Sequence, residues 1–193
     1  MNHGKSVHST GWLHWVALAM LGSAGNLAWA EDGELWLDAD TNSASLVVRN
    51  LANQELARFE NISIGSNGTT QTHWRGDQTT PLGEYRITAI QPSLRYRLFI
   101  ALNYPTADQA QAALASGGIN PLQFRRIMAA HNQGRTPPAD TRLGGNIGLH
   151  GLGQASEAVH LAANWTRGCI ALTNSQIDSL RPWLTVGMRV RIR

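Results

Sequence analysis

The sequence predicts a β-rich α+β domain, mostly β, with one helical excursion. Three observations carry this. Short segments of alternating or β-branched apolar residues occupy both ends of the chain after residue 33. An alanine-rich stretch and an amphipathic stretch stand side by side over 107–131. Clusters of Gly, Thr, Asn, Asp and Pro separate the periodic segments, and neither a repeat nor a second composition regime interrupts them.

The first thirty residues precede that domain. Lys5, the only lysine, lies in a short basic start, residues 12–21 are apolar, and Ala28-Trp29-Ala30 is a small-x-small site followed by Glu31. This is the pattern of a secretory signal peptide cleaved after Ala30. The apolar run is too short to span roughly 30 Å of hydrocarbon, so no stable membrane insertion is expected. The expectation is export to the periplasm and one domain over residues 31–193.

The elements follow in order. ELWLD (34–38), SLVVRN (45–50), ELARFE (55–60) and NISIG (61–65) read as strands, with LANQ (51–54) as a hairpin turn. Residues 66–83 are turn-rich and read as loop. GEYRITAI (83–90) alternates, and RYRLFIALNY (95–104) has an apolar centre fit for the core. Residues 107–115 read as helix. So do 120–131, where Asn120 is the N-cap, Pro121 the first helical residue, and Phe124, Ile127 and Met128 share a face. NIGLHG (146–151) and CIALT (169–173) read as short strands. Thr173 with Gln176 forms a capping-box pattern for a short helix through Ile177 and Leu180, ending near Pro182. GMRVRIR (187–193) alternates and closes the chain as a strand.

The net charge is +3 and no basic run exists, which argues against a nucleic-acid partner. After residue 30 every cation except histidine is arginine. A guanidinium fork suits substrates rich in carboxylates.

Cys169 is the only cysteine. An exported protein usually pairs its cysteines, so a lone one is a buried filler, an intermolecular link or a reactive thiol. Side-chain alternation favours the last. Ile147 and Leu149 share one face of their strand, and Ile170 and Leu172 share one face of theirs. His150 and Cys169 project from the opposite faces, with the small residues Gly148 and Ala171 leaving room for a substrate. A thiol nucleophile needs a base. The candidates are His73 in the polar loop, His131 at a helix end read as solvated, His160 read as surface, and His150 on its strand. No Cys-x-x-Cys or His-x-x-x-His spacing supports a metal site, and no cofactor is implied.

Joint spacing singles out His150. His150-Gly151, fourteen residues, then Thr166-Arg167-Gly168-Cys169 resembles the signature of YkuD-type L,D-transpeptidases. RGDQTTPLGEYRI (75–87) is similar to an upstream segment of that family. The Tyr-Pro stretch with its intervening helical insert (101–151) resembles the single-domain periplasmic subgroup. The resemblance implies a mixed, mostly β fold with the cysteine in a cleft. It also implies a thioester reaction on the peptide stems of peptidoglycan, with an amine or water resolving the thioester. In the hydrolytic alternative the partner is the stem itself or a wall-linked lipoprotein. A non-catalytic wall-binding module is the alternative of another class.

On that resemblance Cys169 is the nucleophile and His150 the base, oriented by the carbonyl of Gly151. The N–H groups of Gly168 and Cys169 form the oxyanion hole. Arg167 pairs with a substrate carboxylate, Thr166 is a neighbouring donor, and Trp74, Tyr104 and Trp165 are candidate cleft walls. Two positions depart from the family pattern: Arg167 stands where many members have His, and Ala171 where they have Asn or Arg.

Overall fold

In the computed structural model, which describes residues 34–193, the alternating segments from the two ends of the chain meet in one sheet. The proposed signal segment and its cleavage point lie outside the described residues. The strands are β1 (Trp36–Asp40), β2 (Ser45–Arg49), β3 (Glu55–Glu60), β4 (Thr69–Thr70), β5 (Thr80–Pro81), β6 (Gly83–Ser93), β7 (Arg97–Leu102), β8 (Gly148–His150), β9 (Ile170–Ala171) and β10 (Arg189–Ile192). The helices are α1 (Ala107–Ala115), α2 (Pro121–Asn132), α3 (Glu157–Ala162) and α4 (Asn174–Leu180), followed by a 3-10 turn over Arg181–Trp183. Eight strands form a mixed sheet in the order β3-β2-β1-β10-β6-β7-β8-β9, and β4 pairs with β5 apart from it. Only β1–β10 and β8–β9 are parallel within the large sheet.

The main core lies on the face where Leu37, Leu46, Val48, Tyr85, Ile100 and Leu149 meet Ile170 and Leu172, capped by Ile177 and Leu180 of α4. The other face of β1 is covered by arginines. Arg189 and Arg191 lie over the Trp36 ring, at 4.3 and 4.9 Å from its centroid. Asp38, only 2% exposed, accepts from Arg49, Arg191 and Arg193. The register explains it: Trp36 sits opposite Arg189 and Arg49, and Asp38 opposite Arg191. Arginine stems bury apolar surface while their heads stay wet, so the alternating RVRIR segment supplies both faces at once.

The helical insert between β7 and β8 has its own small core of Ala110, Ala113, Ile119, Ile127 and Leu143. Both helices begin where the sequence indicates. The Thr106 and Asn120 side chains accept from Gln109 N and Gln123 N, each in a capping box. The buried face of α2 is Ile127 and Ala130, while Phe124 and Met128 are half-buried.

Five local readings differ. Residues 66–83, read as loop, carry the short parallel pair β4–β5. NISIG is not a strand but makes two isolated bridges, Ser63 with Ala171 and Gly65 with Thr166, because the segment beside it bends at Gly168, where φ is +124°. Residues 157–162, where His160 lies, form α3, capped by Ser156. His160 is buried rather than on the surface, since Trp165 Nε1 donates to its Nδ1 at 3.3 Å. His131 is half-buried and bonded at Nε2 to the Pro105 carbonyl at 2.8 Å, instead of solvated.

Candidate active site

His150 ends β8, a three-residue strand between β7 and β9, with Phe99 opposite on one side and Ala171 on the other. Cys169 immediately precedes β9, so the parallel register carries it alongside Gly148 on the face that His150 shares. Two alternating strands side by side thus bring the imidazole and the thiol to one patch.

The imidazole is held from three directions. Nδ1 is 2.7 Å from the Gly151 carbonyl oxygen. A carbonyl only accepts, so Nδ1 carries the hydrogen, and in the neutral ring the lone pair is on Nε2. The Tyr96 ring lies against the imidazole at 4.2 Å between centroids, and Trp165 meets it edge-on at 5.9 Å. His150 is 2% exposed, and burial pushes its pKa below the ordinary 6.5. The Gly151 hydrogen bond opposes this shift, while the nearby Arg95 charge adds to it.

Cys169 is half-buried, and its Sγ donates to the Asn146 carbonyl at 3.3 Å. The packed surroundings push its thiol up to about 11, and the Gly148 N–H opposes the shift only in part. Both shifts favour the neutral forms, thiol and imidazole.

Thr166 and Gly168 shape the turn that presents Cys169. Thr166 is buried; its hydroxyl donates to the Cys169 carbonyl at 2.6 Å and accepts from Gly168 N–H at 3.1 Å. This corrects two expectations. Thr166 cannot donate to a substrate because its proton is already used. The Gly168 N–H is also committed, which leaves Cys169 N–H as the one of the two without an acceptor among the described residues. Gly168 is required for a different reason. Besides its positive φ, a Cβ there would lie 2.7 Å from the Thr79 carbonyl oxygen, so the close approach is to the 75–87 segment.

Thr166→Val is expected to leave Gly168 N–H unsatisfied and to destabilise the protein by about 1–3 kcal/mol, measurable by urea unfolding.

Gly148 and Ala171 do not open space for a substrate. A Cβ on Gly148 would lie 2.2 Å from the Ile100 carbonyl oxygen, and Ala171 is wholly buried. Close packing of β7 against β8 demands the small residue. Tyr104 is not a cleft wall either: it is buried, and its hydroxyl donates to the His73 and Leu143 carbonyls at 2.9 and 3.1 Å. It pins the helical insert to the 66–83 loop. Trp74 packs on the insert's small core under Arg142. Arg167 is exposed and makes no ion pair among the described residues.

Several residues near the site escaped the sequence reading. Tyr96 and Arg95 come from the β6–β7 hairpin tip. Asn174, at the start of α4, bonds Gly153 through both ends of its amide at 2.9 and 2.8 Å, fixing the loop after His150. His73, one of the candidate bases of the sequence, is buried, with Nδ1 at 2.8 Å from the Thr79 carbonyl and 2.7 Å from Asp77. Asp77 in turn accepts from the backbone N–H groups of Trp74 and Thr79, which organises the RGDQTTPLG loop beneath Gly168. The capping pattern at Thr173 was the one sequence signal pointing to Asn174.

A family model described as the L,D-transpeptidase catalytic domain, YkuD, matches residues 34–192. The chain belongs to the YkuD family. The fold is similar to that of solved structures. The helical cell shape determining protein Pgp2 from Campylobacter jejuni superposes with a TM-score of 0.56 at 19% identity, over 84% of this chain and 48% of that one. Bd1075 from Bdellovibrio bacteriovorus gives 0.54 at 18% identity, over 83% and 48%. This YkuD chain thus spans about half the length of those structures. Comparison with curated proteins by sequence finds no match.

Proposed function

We propose that this YkuD protein is a cysteine acyl-transfer enzyme acting on the peptide stems of peptidoglycan in the periplasm. The observation that carries the reading is the geometry of His150: its Nδ1 is bound to the Gly151 carbonyl, which leaves the Nε2 lone pair of the neutral ring unspent, one strand away from the only thiol.

The chemistry follows from that tautomer. His150 Nε2 takes the Cys169 proton as sulfur attacks the stem carbonyl. Burial favours the neutral form of each group, so on this reading the thiolate forms as the bond forms. The tetrahedral oxyanion receives the Cys169 N–H. On collapse the C–N bond breaks, and the proton held on His150 passes to the departing amine. A thioester on Cys169 remains. An amine then attacks it and gives its proton to His150, restoring the thiol and completing a transfer; water in the same place completes a hydrolysis. Gly151 keeps the ring in the right tautomer throughout, as the third member of a triad does elsewhere.

Wild-type protein and Cys169→Ala are incubated with tetrapeptide-stem muropeptides and with lipoprotein-linked sacculi, and products are read by mass spectrometry. The expected result is modified stems from the wild type and none from the variant, at equal thermal stability. New stem-to-stem links identify a transferase; tripeptide stems or released lipoprotein identify a hydrolase. Identical unaltered profiles would overturn the enzymatic reading in favour of a wall-binding module.

A further inference from the structure

Outside the reacting pair, a further histidine is buried against a residue that touches His150. His160 of α3 is 3% exposed, and its Nδ1 accepts from the Trp165 indole Nε1–H at 3.3 Å. The same indole meets the His150 imidazole at 5.9 Å between centroids, with the ring planes 72° apart. Trp165 is thus bonded to one imidazole and packed on the other.

The roles in that hydrogen bond are fixed. An indole N–H donates and never accepts, so His160 Nδ1 holds a lone pair, and in the neutral ring Nε2 carries the hydrogen. That Nε2 is the one buried side-chain nitrogen or oxygen without a hydrogen-bond partner among the described residues. Burial pushes the His160 pKa below 6.5, and the Asn61 backbone and the Glu157 charge oppose the shift without cancelling it. The favoured form is therefore the neutral one, which can accept from Trp165. An aliphatic side chain would pack here without an orphaned N–H. What the histidine adds is the acceptor.

The frame around this contact is tied to the site. Ser63 Oγ donates to the His160 carbonyl at 3.0 Å, and the Ser63 and Ala171 backbones exchange hydrogen bonds at 3.0 and 2.8 Å. Ile64 N–H donates to Asn164 Oδ1 at 3.1 Å, and the Ile64 carbonyl accepts from Thr166 N–H at 3.0 Å. Two adjacent residues, Ser63 and Ile64, thus hold α3, both neighbours of Trp165 in the chain, and the strand that follows Cys169.

We propose that His160 is a positioning residue: by accepting the Trp165 N–H it locks the indole against His150 and keeps the base aimed at Cys169. This rests on the acyl-transfer reading above. The bond has a second consequence. An indole has a single N–H, and His160 takes it. Left free beside a general base, that donor would compete with Cys169 for the Nε2 lone pair of His150.

The test compares wild type with His160→Asn and His160→Leu. The two substituted side chains have nearly the same shape, but only the amide puts an oxygen where Nδ1 stood. His160→Leu should lower kcat on tetrapeptide stems by about 10–100-fold with KM changed by less than about threefold, and His160→Asn should keep kcat within about threefold of wild type. In NMR spectra the Trp165 indole N–H, assigned with Trp165→Phe, should move in His160→Leu and hold its place in His160→Asn. Equal losses in the two variants would mean packing alone and would overturn the proposal, as would full activity of His160→Leu. If His160→Leu does not fold, Trp165→Phe replaces it: kcat should fall as far, with no further loss when His160→Asn is added, and full activity would again overturn the proposal. Absence of wild-type turnover removes the acyl-transfer reading instead. The His150 ring-nitrogen shifts then decide the positioning role: a change in His160→Leu that His160→Asn restores supports it, and no change overturns it.

Discussion

His150→Ala lowers kcat/KM on stem peptides by about 10²–10⁴-fold, the range a general base contributes, and gives the residual activity a new pH dependence. On the proposed mechanism the base is the neutral imidazole of His150, whose pKa burial holds below 6.5. Wild-type activity should fall only on the acid side of that value and stay level through neutral pH. Without the imidazole, the thiolate must form by ionisation in solution. The thiol is pushed up to about 11, so the variant's rate should climb about tenfold per pH unit toward that value. The measurement is kcat/KM from pH 5 to 10 for both proteins, with His150→Gln as a check on packing. A variant profile parallel to the wild type would mean that another group deprotonates Cys169.

Asp38→Ala lowers stability by about 3 kcal/mol, because one buried carboxylate joins three arginines from β2, β10 and the chain end. The arginine ends are partly exposed, which keeps the loss at the low end of what breaking a buried pair costs. For a domain of this size the change corresponds to about 6–12 °C in Tm. Burial alone would raise the Asp38 pKa; hydrogen bonds and charge from Arg191 and Arg193 outweigh it, and the net shift is downward. The sign follows: a carboxyl with a depressed folded pKa contributes stability above its ordinary 3.8 and loses it as pH falls through the folded value. The Tm difference between Asp38→Ala and wild type should be full at neutral pH and shrink below about pH 4. A constant difference across that window would show that packing, not charge, accounts for the loss.

Much of the fold was legible because its signals are local. Alternation or β-branching marked β1, β2, β3, β6 and β10, a continuous apolar centre marked β7, and the caps at Asn120 and Thr173 are single-residue hydrogen-bonding patterns. The NISIG segment misled because its apolar alternation is real, yet its neighbour bends at Gly168 and cannot extend a ladder. α3 was missed because only His160 of its six residues is buried, so its sequence has little apolar periodicity to read. Tyr104 and Trp165 are alike as sequence; contacts far along the chain bury one in the core and set the other against His150.

By itself the sequence determined which residues are the candidates for chemistry: one thiol, one histidine at a fixed spacing from it, and the glycines beside them. It also determined which strands have a core face, since that depends on period alone. Only the tertiary structure decided how donors are shared around Cys169. Whether the Gly168 N–H is free depends on where the Thr166 hydroxyl points, and the size of the residue at 148 depends on how closely β7 approaches. The tertiary structure also brought Arg95 and Tyr96 to His150 from more than fifty positions away in the chain. Hydrogen-bond commitment and close approach are properties of pairs of segments, and no single stretch of sequence contains both partners.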